Sequence, residues 1–191
     1  SVITSSSSRD VLALGKKDNV KLFLAKSLTS SGSSIAMRLS EVVYFSFFVV
    51  VSLVKSRPKL VYVTSNPPVI IPFFVYMFCY FTKSKYIYHV QDIHPEASSM
   101  VFKMPKILNY LIRSIDTLTL KNAELIITLS NDMKATLLKR EKALNVTLLQ
   151  NPAIVNKNDM NLSKTNGAIF CGNAGRLQNM DILLEAIEIF L

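Results

Sequence analysis

The chain has no Trp, two Cys, two His and, for 191 residues, only five Gly and seven Pro. So little Gly and Pro excludes a collagen-like or linker-like chain. Two cysteines cannot form a disulfide framework, nor a zinc site by themselves. Cys79 lies in an apolar run, where a buried thiol is the usual state. We therefore expect a reducing compartment rather than a secreted protein.

Acidic residues are also scarce. Thirteen Asp and Glu stand against 22 Lys and Arg, which gives a net charge of +9. A hydrophobic content of 50% with 18% charged residues excludes an intrinsically disordered chain. The basic balance fits contact with an anionic membrane surface, or simply a solvated basic face, and both remain open. We predict no nucleic-acid partner, because the lysines are scattered and no recognition helix, zinc finger or RNP motif is present.

Both ends of the chain suggest a fragment. It does not begin with Met, residues 2–4 resemble the end of a strand, and residues 181–191 form a helical pattern without a stop signal. No basic segment followed by an apolar stretch and a small-residue cleavage site is visible, so the sequence shows no secretory signal. We expect that the fragment is cut inside structured elements at both ends.

Strand and helix patterns alternate along the chain. Strands separated by helix-length segments predict βαβ units and a mainly parallel sheet, covered on both faces. Residues 151–166 carry several Asn and no apolar periodicity, which predicts a linker before a second α/β unit. The predicted strands are 20–25, 60–64, 86–91, 125–129, 146–149 and 168–171, and the predicted helices are 35–54, 69–82, 106–120, 131–139 and 180–191.

Two apolar runs, 42–54 and 67–81, need comparison with membrane spans. A spanning helix needs about 20 apolar residues, and both runs are shorter. We interpret them as helices buried against the sheet; a hairpin of short spans, or a helix lying in the membrane interface, is the alternative. Lys and Arg flank both runs, which favours contact with anionic lipid.

The segment 89–96 (HVQDIHPE) contains both histidines and two carboxylates at the predicted carboxyl end of a strand. Ligands of open α/β sheets bind beyond such ends. Asp92 is a candidate base or hydroxyl-orienting group, Glu96 a ligand for a sugar hydroxyl or a positive group, and His94 an acid. One alternative is a metal site of His89, Asp92, His94 and Glu96, whose spacing matches no common motif. Another is that the two carboxylates cap the following turn while His89 packs in the sheet.

Two further loops follow predicted strands. After the strand 60–64, Ser65 and Asn66 offer a hydroxyl and an amide to a ligand, although a simple Asn-Pro turn is the alternative. After the strand 168–171, Gly172 and Gly175 would let the backbone approach a phosphate, and Arg176 would add a positive charge. A plain turn between strand and helix is the alternative for that loop.

These segments, in this order, resemble the family 4 glycosyltransferases of the GT-B fold, especially the bacterial enzymes that build O-antigen, capsule or colanic acid. The resemblance covers nearly the whole chain, and it depends on order and spacing because each motif is modest alone. The matching segments are VITS at 2–5, TSNPP at 64–68, QDIHPE at 91–96, AELIITLS at 123–130, QNP at 150–152, and GNAGR at 172–176 with LLEA at 183–186.

The resemblance implies a GT-B enzyme with two Rossmann-like, doubly wound parallel-sheet domains. Residues 1–150 would be the acceptor-binding domain without its first strand, 151–166 a linker, and 167–191 the first βα unit of a truncated donor domain. The implied reaction moves a sugar, with retention, from a nucleotide-sugar to a lipid-linked saccharide acceptor in surface polysaccharide biosynthesis. It implies no cofactor and no metal, and a peripheral location on the inner face of the cytoplasmic membrane.

The resemblance also implies roles for individual residues. Many family members have His at the position of Gln91, and Arg and Lys at those of Asn173 and Gln178, so this chain departs from the common pattern there. Because its donor site would be incomplete, we expect the chain alone to have no transferase activity. A membrane-spanning protein and a non-catalytic Rossmann-like binding module are the alternatives. The implied sites are Asp92 and Glu96 (catalytic), Ser65, Asn66, Gln91 and His94 (acceptor), and Gly172, Asn173, Gly175 and Arg176 (donor).

Overall fold

The computed structural model describes residues 1–5, 21–29, 33–96, 104–151 and 180–190. Within these ranges the chain alternates strands and helices, as the sequence predicts. The elements are β1 (Val2–Ser5), β2 (Leu22–Ala25), α1 (Ile35–Ser56), β3 (Leu60–Thr64), α2 (Ile70–Thr82), β4 (Lys85–Val90), α3 (Lys106–Lys121), β5 (Leu125–Thr128), α4 (Asn131–Arg140), β6 (Val146–Leu148) and α5 (Met180–Phe190).

The predicted elements within the described ranges are confirmed, with bounds that differ by at most two residues. The largest differences are at β2, which begins two residues after the predicted start at 20, and at α1, which continues two residues beyond 54. The predicted strand 168–171 and the loop after it lie outside the described residues. So does the predicted linker, except for its first residue, Asn151.

The strands are parallel and form two sheets, β1–β2 and β3–β4–β5–β6. In the larger sheet the spatial order is the chain order, and Thr64, His89 and Ile127 are paired across three neighbouring strands. Each step from one strand to the next passes through a helix, as parallel pairing requires. The chain is therefore an α/β protein with parallel sheets, compatible with a Rossmann-like fold.

Helices α2 to α4 pack on one face of the larger sheet, and α1 contacts β1 and β2 of the smaller sheet. The hydroxyl of Tyr86 donates to the carbonyl of Thr119 on α3, and its ring meets that of Tyr76 on α2 at 6.5 Å. Helix α1 packs beside α2, and α2 packs beside α3. Because strand side chains alternate, the opposite face carries residues such as Tyr62, which is 54% exposed. The second helical layer of a doubly wound sheet therefore stays a prediction.

A cleft of about 500 Å³ separates the two sheets. One wall is β1, with Val2 and Ile3, and the other is β3, from Leu60 to Thr64; Val49 and Leu53 of α1 also line it. Among the described residues, β1 pairs only with β2 and β3 only with β4. Both strands therefore turn a hydrogen-bonding edge towards the cleft, and the expected single sheet is interrupted there.

Helix α1 begins at Ile35, the start that the sequence predicts. Ser34 caps it, its hydroxyl accepting a hydrogen bond from the amide of Met37 at 3.4 Å. At the other end Arg57 takes a left-handed conformation (φ 43°), and its amide donates to the carbonyl of Leu53. A stripe of Phe45, Val49 and Leu53 is buried, because residues four apart share one face of a helix.

We expect Leu53→Ala to lower the free energy of unfolding by about 2–5 kcal/mol, because the deletion leaves a cavity in the core. The neighbouring Val54→Ala is the matched control, since Val54 is 54% exposed and its loss is expected to change stability by less than about 0.5 kcal/mol. Urea denaturation of both variants measures the difference. Equal effects would contradict the packing of α1 on the sheet.

Candidate functional site

The loops that follow β3 and β4 are joined by one serine. Ser65 is only 3% exposed, and its hydroxyl oxygen accepts hydrogen bonds from the amides of Gln91 at 3.0 Å and Asp92 at 3.3 Å. Its own amide donates to the carbonyl of His89 at 3.1 Å. Because parallel strands end at the same edge of a sheet, these bonds hold the two predicted motifs together at one rim. We call this edge, residues 65–68 with 91–96, the rim.

Polar side chains are available at the rim. Asp92 and Asn66 are exposed and Gln91 is half-buried, whereas Ser65 is engaged by the two amides. Asn66 also lines a cleft of about 430 Å³, whose other walls come from the carboxyl ends of β1 and β2 and from α1. A carboxylate, two amides and nearby hydroxyls are the groups that hydrogen-bond a polyhydroxylated ligand.

Glu41 of α1 is the carboxylate that lines this second cleft, and it is held by the turn after β2. Its oxygens accept hydrogen bonds from the hydroxyl of Ser27 at 3.0 Å, the amide of Leu28 at 2.9 Å and the hydroxyl of Thr29. These bonds, that from Thr29 foremost, lower the pKa of Glu41. Glu41 therefore stays ionised and fixes the turn to the helix.

The other predicted carboxylate, Glu96, is bound by arginines. Arg140, at the end of α4, donates to Glu96 at 2.5 Å and to the carbonyl of His94 at 2.9 Å. Arg113 of α3 lies 3.7 Å from the other oxygen of Glu96. The side chain of Arg140 is 3% exposed, so the end of the loop 91–96 is anchored to a buried charge. This geometry gives Glu96 a positioning role, and its catalytic role stays a prediction.

Asp116 of α3 completes this charge network. It accepts a hydrogen bond from Arg140 at 2.6 Å and another from the hydroxyl of Tyr88 at 3.2 Å. Burial raises the pKa of Asp116, although Arg140 opposes that shift. Burial, with the neighbouring Asp116, also raises the pKa of Tyr88. A buried arginine between two carboxylates is stable only while all three stay paired.

His89 is buried in the sheet, 7% exposed, with Nδ1 2.5 Å from the hydroxyl of Tyr62. Its Nε2 has no hydrogen-bond partner among the described residues. Burial lowers its pKa, so the ring is neutral near neutral pH. In the described part of the chain no three His, Cys, Asp or Glu side chains gather as metal ligands, so the metal alternative for 89–96 gains no support. Of the two alternatives, packing of His89 in the sheet is the one that the structure supports.

The donor-site candidates Gly172, Asn173, Gly175 and Arg176 lie outside the described residues. Comparison with protein-family models and with curated proteins gives no match for this chain.

Sequence reasoning missed Arg140, Asp116 and Glu41. Arg140 stands in the last turn of α4, where a cation is favourable in any helix. Asp116 lies on the side of α3 opposite most of its apolar side chains. That misplaced acid was the available signal, because an acid facing the core needs a buried partner. Nothing local connects Glu41 with residues 27–29, which lie 12 to 14 positions away.

Breaking the charge network is expected to be costly. We expect Arg140→Met to lower the free energy of unfolding by about 3–5 kcal/mol, because it leaves the buried carboxylate of Asp116 without its guanidinium partner. The matched control is Lys85→Met, which breaks the exposed Lys85–Glu124 pair at 2.9 Å and is expected to cost under about 1 kcal/mol. Urea denaturation compares the two, and similar losses would show that Arg140 does not anchor the loop.

His89 makes stability depend on pH. Because the folded pKa lies below the ordinary 6.5, the unfolded chain takes up the proton first, and stability is lost as pH falls through 6.5 towards the folded pKa. We expect the stability difference between the wild type and His89→Gln to shrink by up to about 1.4 kcal/mol per pH unit below 6.5. Denaturation at pH 7.5, 6.5 and 5.5 measures it. A difference independent of pH would mean that the imidazole is solvated.

Proposed function

We propose that this chain belongs to a retaining glycosyltransferase of the GT-B fold and contains its acceptor side. The enzyme would move a sugar from a nucleotide-sugar to a lipid-linked saccharide in surface polysaccharide biosynthesis. The observation that supports this most is the bridge from the Ser65 hydroxyl to Gln91 and Asp92. It joins the two motifs of the resemblance at the sheet edge where α/β proteins bind ligands.

The exposed groups of the rim suit a saccharide. Asn66 and Gln91 would hydrogen-bond sugar hydroxyls, and the Asp92 carboxylate would orient the attacking hydroxyl and accept its proton. His94 lies in the same loop, and Glu96, through Arg140 and Arg113, would keep this loop in place. The loop with Gly172, Asn173, Gly175 and Arg176 would hold the donor diphosphate, since backbone amides and a guanidinium stabilise a leaving anion.

Saccharide binding tests the acceptor site directly. The chain is mixed with octyl glycosides of hexoses and N-acetylhexosamines, below their micelle concentrations, and binding is followed by saturation-transfer NMR. We expect at least one glycoside to bind, and Asp92→Asn and Asn66→Ala each to weaken it about tenfold by removing a hydrogen bond to the sugar. Asp132→Asn, in the first turn of α4, is the matched control and is expected to leave affinity unchanged.

Transfer separates an enzyme from a binding module. The gene product that contains this chain is incubated with a bound glycoside and with UDP-glucose, UDP-galactose, UDP-N-acetylglucosamine or GDP-mannose, and the product is read by mass spectrometry. We expect transfer that Asp92→Asn lowers by 10²-fold or more. Binding without transfer would identify a non-catalytic module. No binding by any glycoside, or binding indifferent to Asp92 and Asn66, would contradict the acceptor site.

A further inference from the structure

Helix α3 turns most of its apolar side chains away from the protein. It buries Asp116, Thr119 and Leu120. By contrast, Ile107 is 77% exposed, Leu111 51% and Leu118 42%. An amphipathic helix on a sheet normally does the reverse. Because Asp116 is fixed by Arg140 and Tyr88, this orientation of the helix is set by the core. The apolar stripe of α3 therefore faces outwards.

Helices α1 and α2, which follow one another beside α3, also have outward apolar stripes. On α1 the stripe contains Val43 and Phe47, both 70% exposed, and continues to Val54. On α2 it contains Phe74 and Phe81, seven residues apart on one side of the helix. An apolar groove of about 350 Å³, lined by Phe47 and Phe74 among others, connects the two stripes. Helix α3 packs on α2, so its stripe lies on a neighbouring helix. We call the three stripes together the outer helical face.

This face has no acidic group free to repel an anion. The three helices contain only two carboxylates, Glu41 and Asp116, and both are engaged inside the fold. Positive charge lies at the ends of the helices. Lys55 is in the last turn of α1, and Arg57 and Lys83 are the C-caps of α1 and α2. Arg38 and Lys106 lie near the N-terminal ends of α1 and α3. Each helix also exposes a tyrosine, a residue that favours the boundary between lipid and water.

We propose that the outer helical face docks on an anionic lipid bilayer, with α1, α2 and α3 lying in the plane of the interface. Large exposed apolar surfaces mark interaction sites, and the adjoining cations favour negatively charged headgroups over a neutral or cationic partner. The surface is distinct from the rim, so the inference holds whether or not the rim binds a saccharide.

The same geometry argues for a surface contact rather than a span. Over Ala36–Ser56, α1 is the only helix in the described part of the chain that is long and apolar enough to cross a bilayer. Its opposite stripe, with Phe45, Val49 and Leu53, is buried in the core shared with the sheet. A helix committed to the core on one side and exposed on the other can enter lipid only to a shallow depth.

Flotation with vesicles tests the docking. The 191-residue chain is mixed with vesicles of phosphatidylcholine and phosphatidylglycerol (3:1) or of phosphatidylcholine alone, at 0.1 and 0.5 M NaCl. We expect the chain to float with the anionic vesicles at 0.1 M NaCl. Binding should be at least tenfold weaker to the neutral vesicles and weaker at 0.5 M NaCl, because neutral headgroups and salt screening both remove the electrostatic attraction to the membrane. No flotation with anionic vesicles would overturn the proposal.

Variants separate the apolar and ionic parts. The triple variant Phe47→Gln, Phe81→Gln, Ile107→Gln removes one exposed side chain from each helix and is expected to weaken binding at least tenfold, while the urea midpoint stays that of the wild type. Lys55→Gln with Lys83→Gln is expected to weaken binding to anionic vesicles about 25-fold, near fivefold per charge. The controls are Leu149→Gln and the pair Lys139→Gln, Lys142→Gln. These residues lie outside the three helices of the outer helical face, and their substitution should change affinity less than threefold.

Two alternatives to surface docking predict different results: a dimer formed through the outer helical face, and a membrane-spanning α1. If the outer helical face joins two copies of the chain, light scattering after size exclusion shows a dimer that the triple variant abolishes, and vesicles do not bind. If α1 spans the bilayer, membrane-bound protein resists extraction by alkaline carbonate, whereas docked protein is released. Either result would overturn surface docking, and so would binding that the triple variant leaves unchanged.

Discussion

The buried guanidinium of Arg140 is the interaction on which the rest of the described structure depends. It bonds to Asp116 on α3, to Glu96 and to the carbonyl of His94, so a single positive charge connects the end of α4, the middle of α3 and the loop after β4. A charge away from water must keep its partners, which leaves these three parts little freedom to move separately. Both surfaces with a proposed role follow from this constraint: the network anchors one end of the rim loop, and it holds α3 with its polar side inwards.

At the rim, backbone amides and the hydroxyl of Ser65 fix the two loops to each other. The larger polar side chains there stay available to bind a ligand. Ser65 satisfies the amides of Gln91 and Asp92, which would otherwise be left without partners where the strand ends. The exposed carboxylate of Asp92 is thereby held on a fixed backbone. Such division between positioning and contacting groups is common at the edges of parallel sheets, where loops carry chemistry on a rigid scaffold. It supports the proposed saccharide site without depending on the donor loop.

The outer helical face and the cleft between β1 and β3 are both places where the described fold is open. In the cleft, two strand edges turn their backbone groups towards each other without pairing. On the outer helical face, apolar side chains from three helices meet water. The strand edges in the cleft have backbone groups that need hydrogen-bond partners, whereas the exposed side chains of the outer helical face need an apolar environment. Different partners would therefore bind at the two places. A lipid surface meets only the second, which is why we assign it to the helices.

Local patterns in the sequence determined the elements of this protein, because strand and helix periodicity and the end signals are properties of neighbouring residues. Leu60–Thr64 was predicted with its observed bounds, and the cap at Ser130 is present, its hydroxyl accepting from the amide of Met133. The motif order also placed the loops after β3 and β4 at one edge, since parallel strands leave no other arrangement.

Only the tertiary structure decided which side chains at that edge are exposed, that α3 buries Asp116 and exposes its apolar stripe, and that the strands form two sheets. Those outcomes depend on contacts between residues 12 to 46 positions apart, such as Arg140 with the carbonyl of His94, and no local pattern records which distant partner a charge will find.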